Sequence, residues 1–76
     1  MTRASADGPS DGDMVWDGVI FSRIVRVIGR APARGAWRVV AYRSDSAAGP
    51  VEARVTVRRT RARGDARPRG VYWKVV

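Results

Sequence analysis

Val19-Ile20-Phe21-Ser22-Arg23-Ile24-Val25-Arg26-Val27-Ile28 admits two folds, and the choice between them sets the architecture of the chain. On a helical wheel, Ile20, Phe21, Ile24, Val25, Val27 and Ile28 share one side, opposite Ser22, Arg23 and Arg26. Asp17 would cap such a helix, Gly29 would end it and Pro32 would forbid its continuing. Read as a strand, one face carries Val19, Phe21, Arg23, Val25 and Val27, and the other Ile20, Ser22, Ile24, Arg26 and Ile28. Each face is then apolar with a polar interruption. Six of these ten residues are β-branched, and none is Ala, Leu, Glu, Lys or Gln. Each β-branched residue costs a helix a few tenths of a kcal/mol against Ala, about 2–4 kcal/mol in sum, comparable with the whole margin of a small domain. Composition therefore selects the strand.

The flanks point the same way. Asp17-Gly18, between Val15-Trp16 and Val19-Ile20-Phe21, is the dipeptide of a two-residue type I′ hairpin turn, which needs positive φ. Gly29 to Gly35, with Pro32 between, is a turn. Ala36–Arg43 alternates Trp37, Val39 and Ala41 against Arg38, Val40 and Tyr42, and 44–50 is a polar loop. In Val51–Arg58, Val51, Ala53, Val55 and Val57 fall on one face, and Glu52, Arg54, Thr56 and Arg58 on the other. An arginine-laden loop leads from there into the return strand Val71-Tyr72-Trp73-Lys74-Val75. Short connections make an antiparallel meander the simplest topology. The expected fold is mainly β, a small five-stranded meander or barrel of SH3-like or OB-like kind. The alternative is α+β, with a helix over 18–28 packed on a three-stranded sheet. Both place Trp37, Val39, Val55, Val57, Val71, Trp73 and Val75 in the core.

Seventy-six residues make a single domain with a small core. Residues 1–13, rich in Asp, Gly, Ser and Ala, read as a flexible acidic tail, and 14–76 as the basic β domain. The tail carboxylates Asp7, Asp11 and Asp13 either solubilise the chain or fold back on the basic surface in competition with a polyanion.

The formal charge of +8 is unevenly placed. Residues 1–17 hold one Arg and four Asp, net −3, whereas residues 18–76 hold fourteen basic and three acidic residues, net +11. Fourteen arginines to one lysine suits a GC-rich bacterial or phage genome, but such drift accounts for the choice of Arg over Lys better than for the clustering. A domain this basic attracts polyanions by neutralising phosphates and releasing counterions.

The candidate nucleic-acid contacts are Arg38, Arg54, Arg58 and Lys74 on outward strand phases, with Arg59, Arg61, Arg63, Arg67 and Arg69 in and beside the loop. Tyr42 and Tyr72 share the outward phase and would offer rings on which exposed bases stack. The bland account makes the tyrosines amphipathic covers at the core edge.

Cysteine and histidine are absent, which excludes disulfides, Cys/His metal sites and His- or Cys-based catalysis. No cofactor is expected, and neither is enzymatic activity. A catalytic reading would rest on Glu52, the one glutamate, with Arg54 and Tyr42 nearby, as in a small His-free ribonuclease toxin. An ordinary cross-strand ion pair with an arginine is the favoured account of Glu52. No apolar run approaches a membrane span, and residues 1–7 lack the apolar core of a signal peptide; the expectation is a cytoplasmic protein. The function expected is a small nucleic-acid-binding module of low sequence specificity, taking RNA or single-stranded DNA ahead of duplex. The alternative is an assembly or inhibitory module, such as a phage structural subunit, docking on an acidic protein surface.

Overall fold

The computed structural model describes residues 4–43 and 49–76. Five strands, β1 (Met14–Trp16), β2 (Phe21–Arg30), β3 (Ala36–Arg43), β4 (Val51–Arg61) and β5 (Val71–Val75), close into a barrel in that order. The described residues contain no helix. Consecutive strands pair antiparallel, and β1 meets β5 in parallel, as an odd-numbered meander must when it closes. The sheet is therefore mixed rather than wholly antiparallel. Within the polar loop 44–50, residues 44–48 lie outside the described residues.

The alternative helix over 18–28 is not formed; these residues supply the turn and most of β2. The register explains why they imitate a helix. Arg23 faces Tyr42 and Ile24 faces Ala41; then Arg26 faces Val40 and Val27 faces Val39; then Gly29 faces Arg38. Val25 and Ile28 are extra residues on β2, each a bulge that resets the alternation. Ile24 and Val27 thus both point inward three residues apart, while Arg23 and Arg26 both point outward. A three-residue spacing of this origin is indistinguishable on a wheel from a helical face. The bulged Ile28 is left 43 % exposed.

The core cluster is Ala4, Val15, Ile24, Val39, Val57, Val71 and Trp73, with Val27, Trp37, Val55 and Val75 packed against it. All seven residues expected in the core belong to this set. Trp73 is its largest fully buried side chain, flanked in register by Val15 on β1 and Arg59 on β4. Its Nε1–H has no acceptor among the described residues, an offset of about 1–3 kcal/mol against the gain from burying the ring. At the other end of β4 the alternation persists without burial: Val51 and Ala53 are exposed and border a cavity of about 280 Å³ at the barrel mouth.

The β1–β2 connection is longer than the two-residue turn expected from Asp17-Gly18. β2 resumes only at Phe21, and Val19 is exposed. The cause is the Asp17 side chain, whose Oδ1 accepts the amides of Val19 at 2.8 Å and Ile20 at 2.9 Å. These amides are thereby satisfied without strand pairing. Gly18 supplies the positive φ of 101°.

Residues 4–13 lie against the barrel. β1 is only three residues long, so β2 and β5 run past it, and the leader takes the bonds left over. The Ala4 amide donates to the Val71 carbonyl at 3.1 Å. Farther along, Gly12 donates to the Ile24 carbonyl at 2.7 Å, and Ile24 returns a bond to the Asp13 carbonyl at 2.8 Å. Between them Gly8, at φ +117°, passes so close to Trp37 that an added Cβ would sit 2.8 Å from the indole Cζ2. Only glycine fits there, on both conformational and steric grounds.

Three outcomes follow from this packing. Trp73→Ala should cost about 3–5 kcal/mol by cavity formation, enough to unfold most of the population in a urea titration. Gly8→Ala should lower the melting temperature and speed hydrogen exchange at the Ala4 amide while leaving the β3–β4 ladder protected. The third concerns pH. The Ile20 amide, then the Val19 amide, hold the Asp17 carboxyl below its ordinary value, with Arg43 adding a smaller push. A depressed folded-state pKa contributes stability above the unfolded-state pKa, and this is lost as pH falls through the folded-state value, below about pH 4. Asp17→Asn keeps an acceptor but cannot titrate, so its urea midpoint should fall less steeply on acidification than that of the parent.

Candidate functional site

The outer faces of β2 to β5 carry the charge, and the register shows how. Arg58 faces Lys74 across β4 and β5, Thr56 faces Arg38, and Arg54 faces Val40, whose neighbour on β2 is Arg26. Farther along, Glu52 faces Tyr42, which faces Arg23. Arg23, Arg26, Arg38, Arg54, Arg58 and Lys74 are all exposed. Arg58 and Lys74 are direct cross-strand neighbours, whereas Arg54 and Arg26 stand on either side of Val40, so the cations spread over a curved four-strand surface. Val40 sits on this solvent side yet is only 9 % exposed. The aliphatic stems of its flanking arginines are suited to covering it while their guanidinium groups stay in water.

Among the described residues, little neutralises this charge: Glu52 is the one acid on the face, and the one ion pair between them, Arg43–Asp17 at 3.9 Å, lies elsewhere. Asp7, Asp11 and Asp13 form no ion pair among the described residues; the Asp13 carboxylate accepts the Ser10 amide at 2.9 Å instead. Arg38 and Arg54, with Ile28 and Thr56, line a shallow depression of about 270 Å³. Arg58 is anchored by an Nη1 bond of 2.9 Å to the Arg34 carbonyl.

Of the residues singled out from sequence, Arg38, Arg54, Arg58 and Lys74 share one face. Arg59 and Arg61 do not join them: they face Trp73 and Val71 in register and so fall on the inward phase, at the barrel end. Arg59 also donates from Nε to the Ala4 carbonyl at 3.2 Å, a structural role in fixing the leader. Arg63 is in the loop, where its carbonyl closes a turn with the Ala66 amide. Arg67 and Arg69 lie on the limb of the loop leading into β5. Tyr42 and Tyr72 are on the outer phase but only half-exposed, and the Arg23 guanidinium lies 5.9 Å from the Tyr42 ring centroid. A second arginine, Arg30, stands 5.0 Å over Trp37. Glu52, Tyr42 and Arg54 are neighbours on an open strand surface.

Four residues emerge only from the structure. Arg23 and Arg26 join the face because the bulge at Val25 puts both on the outer phase. Trp16 and Phe21 face each other across β1 and β2, their ring centroids 4.8 Å apart and tilted by 54°. A two-residue turn at Asp17-Gly18 would have placed Trp16 opposite Val19, which is why the pairing was not evident. With Arg67, Pro68 and Arg69, these rings line a cleft of about 400 Å³. Trp16 faces Lys74 on β5, so the cleft adjoins the cationic surface.

Comparison of the chain with protein-family models, with curated proteins and with solved structures finds no match.

Proposed function

We propose that this protein is a small, non-enzymatic nucleic-acid-binding module that grips phosphates with its outer sheet face and has low sequence specificity. The observation that carries this reading is the convergence of Arg23, Arg26, Arg38, Arg54, Arg58 and Lys74 on one curved surface, with Glu52 the single acid on it among the described residues. Guanidinium groups offer forked donors to phosphate oxygens without needing a particular base. A sheet face presents them across several strands rather than along a groove-reading helix, and so favours backbone contacts over base-edge readout.

The competing reading is docking on an acidic protein surface. In the barrel each strand has partners on both sides, so the version that adds a strand from a partner finds little free edge. What would remain is charge complementarity, which an extended polyphosphate chain satisfies as well.

Binding should be measured by fluorescence anisotropy with single-stranded RNA, single-stranded DNA and duplex across a salt series. The expected affinity falls steeply with salt, by about 0.7 in the log–log slope per phosphate contact on a single strand. Arg54→Ala with Arg58→Ala should shallow that slope by about 1.4 and leave the far-UV spectrum unchanged. Absence of binding at low salt, or binding indifferent to salt, would refute the proposal.

A further inference from the structure

The geometry points to the cleft between Trp16, Phe21 and Pro68 as a subsite for an unpaired nucleobase, which would make this a single-strand-preferring module. The inference rests on the phosphate-gripping reading above and names what that reading leaves open, the form of nucleic acid held.

Trp16 and Phe21 lie on the outer phase of the barrel, since their neighbours Val15 and Ser22 face inward. Phe21 is 41 % exposed even though its ring packs against Trp16, a costly position for a phenyl group. The third wall is Pro68, a compact, rigid apolar ring with no amide hydrogen to satisfy. Two aromatic faces and this apolar wall, bounding about 400 Å³, suit a planar guest with a π face. The rim chooses which guest. Arg67 and Arg69 flank Pro68, Lys74 faces Trp16, and Arg58 faces Lys74. A ligand that is aromatic and lies next to negative charge at every step satisfies both the walls and the rim, and a nucleotide strand has that pattern. Phosphates running along Arg58 and Lys74 would bring the adjoining base to the mouth of the cleft. A base inside a duplex is stacked and paired and does not reach it, whereas a base on a single strand inserts without that cost.

The test compares oligothymidine with an abasic strand of equal length, and with duplex, at one low salt concentration. The parent protein should bind oligothymidine about 5- to 150-fold tighter than the abasic strand, the range expected for stacking one base on aromatic side chains. Trp16→Ala and Phe21→Ser should each remove most of that difference. Neither should change affinity for the abasic strand or the salt slope, and Trp16→Phe should restore part of the loss. Because the abasic comparison needs no substitution, a variant that misfolds does not spare the proposal. Equal affinity for the two strands, a preference for duplex, or Trp16-dependent capture of a proline-rich peptide in place of the base would overturn the subsite while leaving phosphate gripping intact. Failure of the parent to bind any of the strands would remove the reading beneath it instead.

Discussion

The barrel closes through very little material. β1 contributes three residues, and it is joined to β5 at two register positions, Val15 with Trp73 and Trp16 with Lys74. Val15 and Trp73 turn inward and are fully buried; Trp16 and Lys74 turn outward. One pair therefore holds the core together at the seam, and the next residue along supplies both an aromatic ring and a cation to the surface. The remainder of the fold depends on that seam, because a five-stranded sheet left open would expose the inner faces of Val39, Val57 and Ile24 to water. In a chain of 76 residues there is no second core to compensate.

β3, the buried half of β4 and β5 were legible because each obeys a plain alternation and carries its own aromatic or valine anchors. β2 was harder, and the reason is physical. Two bulges within ten residues turn a period of two into a spacing of three, so the helical pattern in Ile24, Val27, Arg23 and Arg26 arises in a strand. The β-branched composition resolved the conflict because backbone preference does not depend on where a bulge falls. Bulge positions themselves left no mark, and so the outward alignment of Arg23 with Arg26 was not readable. The Trp16–Phe21 pair was hidden by the length of one turn, set by which amides the Asp17 carboxylate captured. The docking of residues 4–13 had no composition signal either: it rests on main-chain bonds at Ala4, Gly12 and Asp13 and on the close approach of Gly8 to Trp37.

Arg58 and Arg59, adjacent in sequence, illustrate how the strand period divides the charge. Arg58 points outward beside Lys74, whereas Arg59 points toward the barrel end and holds the Ala4 carbonyl. A run of arginines in a strand is thus not one patch but two half-sets. In the outward set, Arg58 holds the Arg34 carbonyl and Arg23 lies against the Tyr42 ring, while the guanidinium groups remain on the solvent side. The surface charge is in this sense separable from the fold, and its mutual repulsion is a modest burden on the closed barrel.

The leader bonds carry a consequence for how the molecule behaves in concentrated solution. Where β1 stops short, the margins of β2 and β5 would present unpaired amides and carbonyls, the template on which a foreign strand adds and chains begin to aggregate. Ala4, Gly12 and Asp13 occupy those margins. A segment that looks expendable by composition thus covers hydrogen-bonding positions that a foreign strand would otherwise meet. Trimming it to make a tidier protein for crystallisation or spectroscopy would uncover those strand margins.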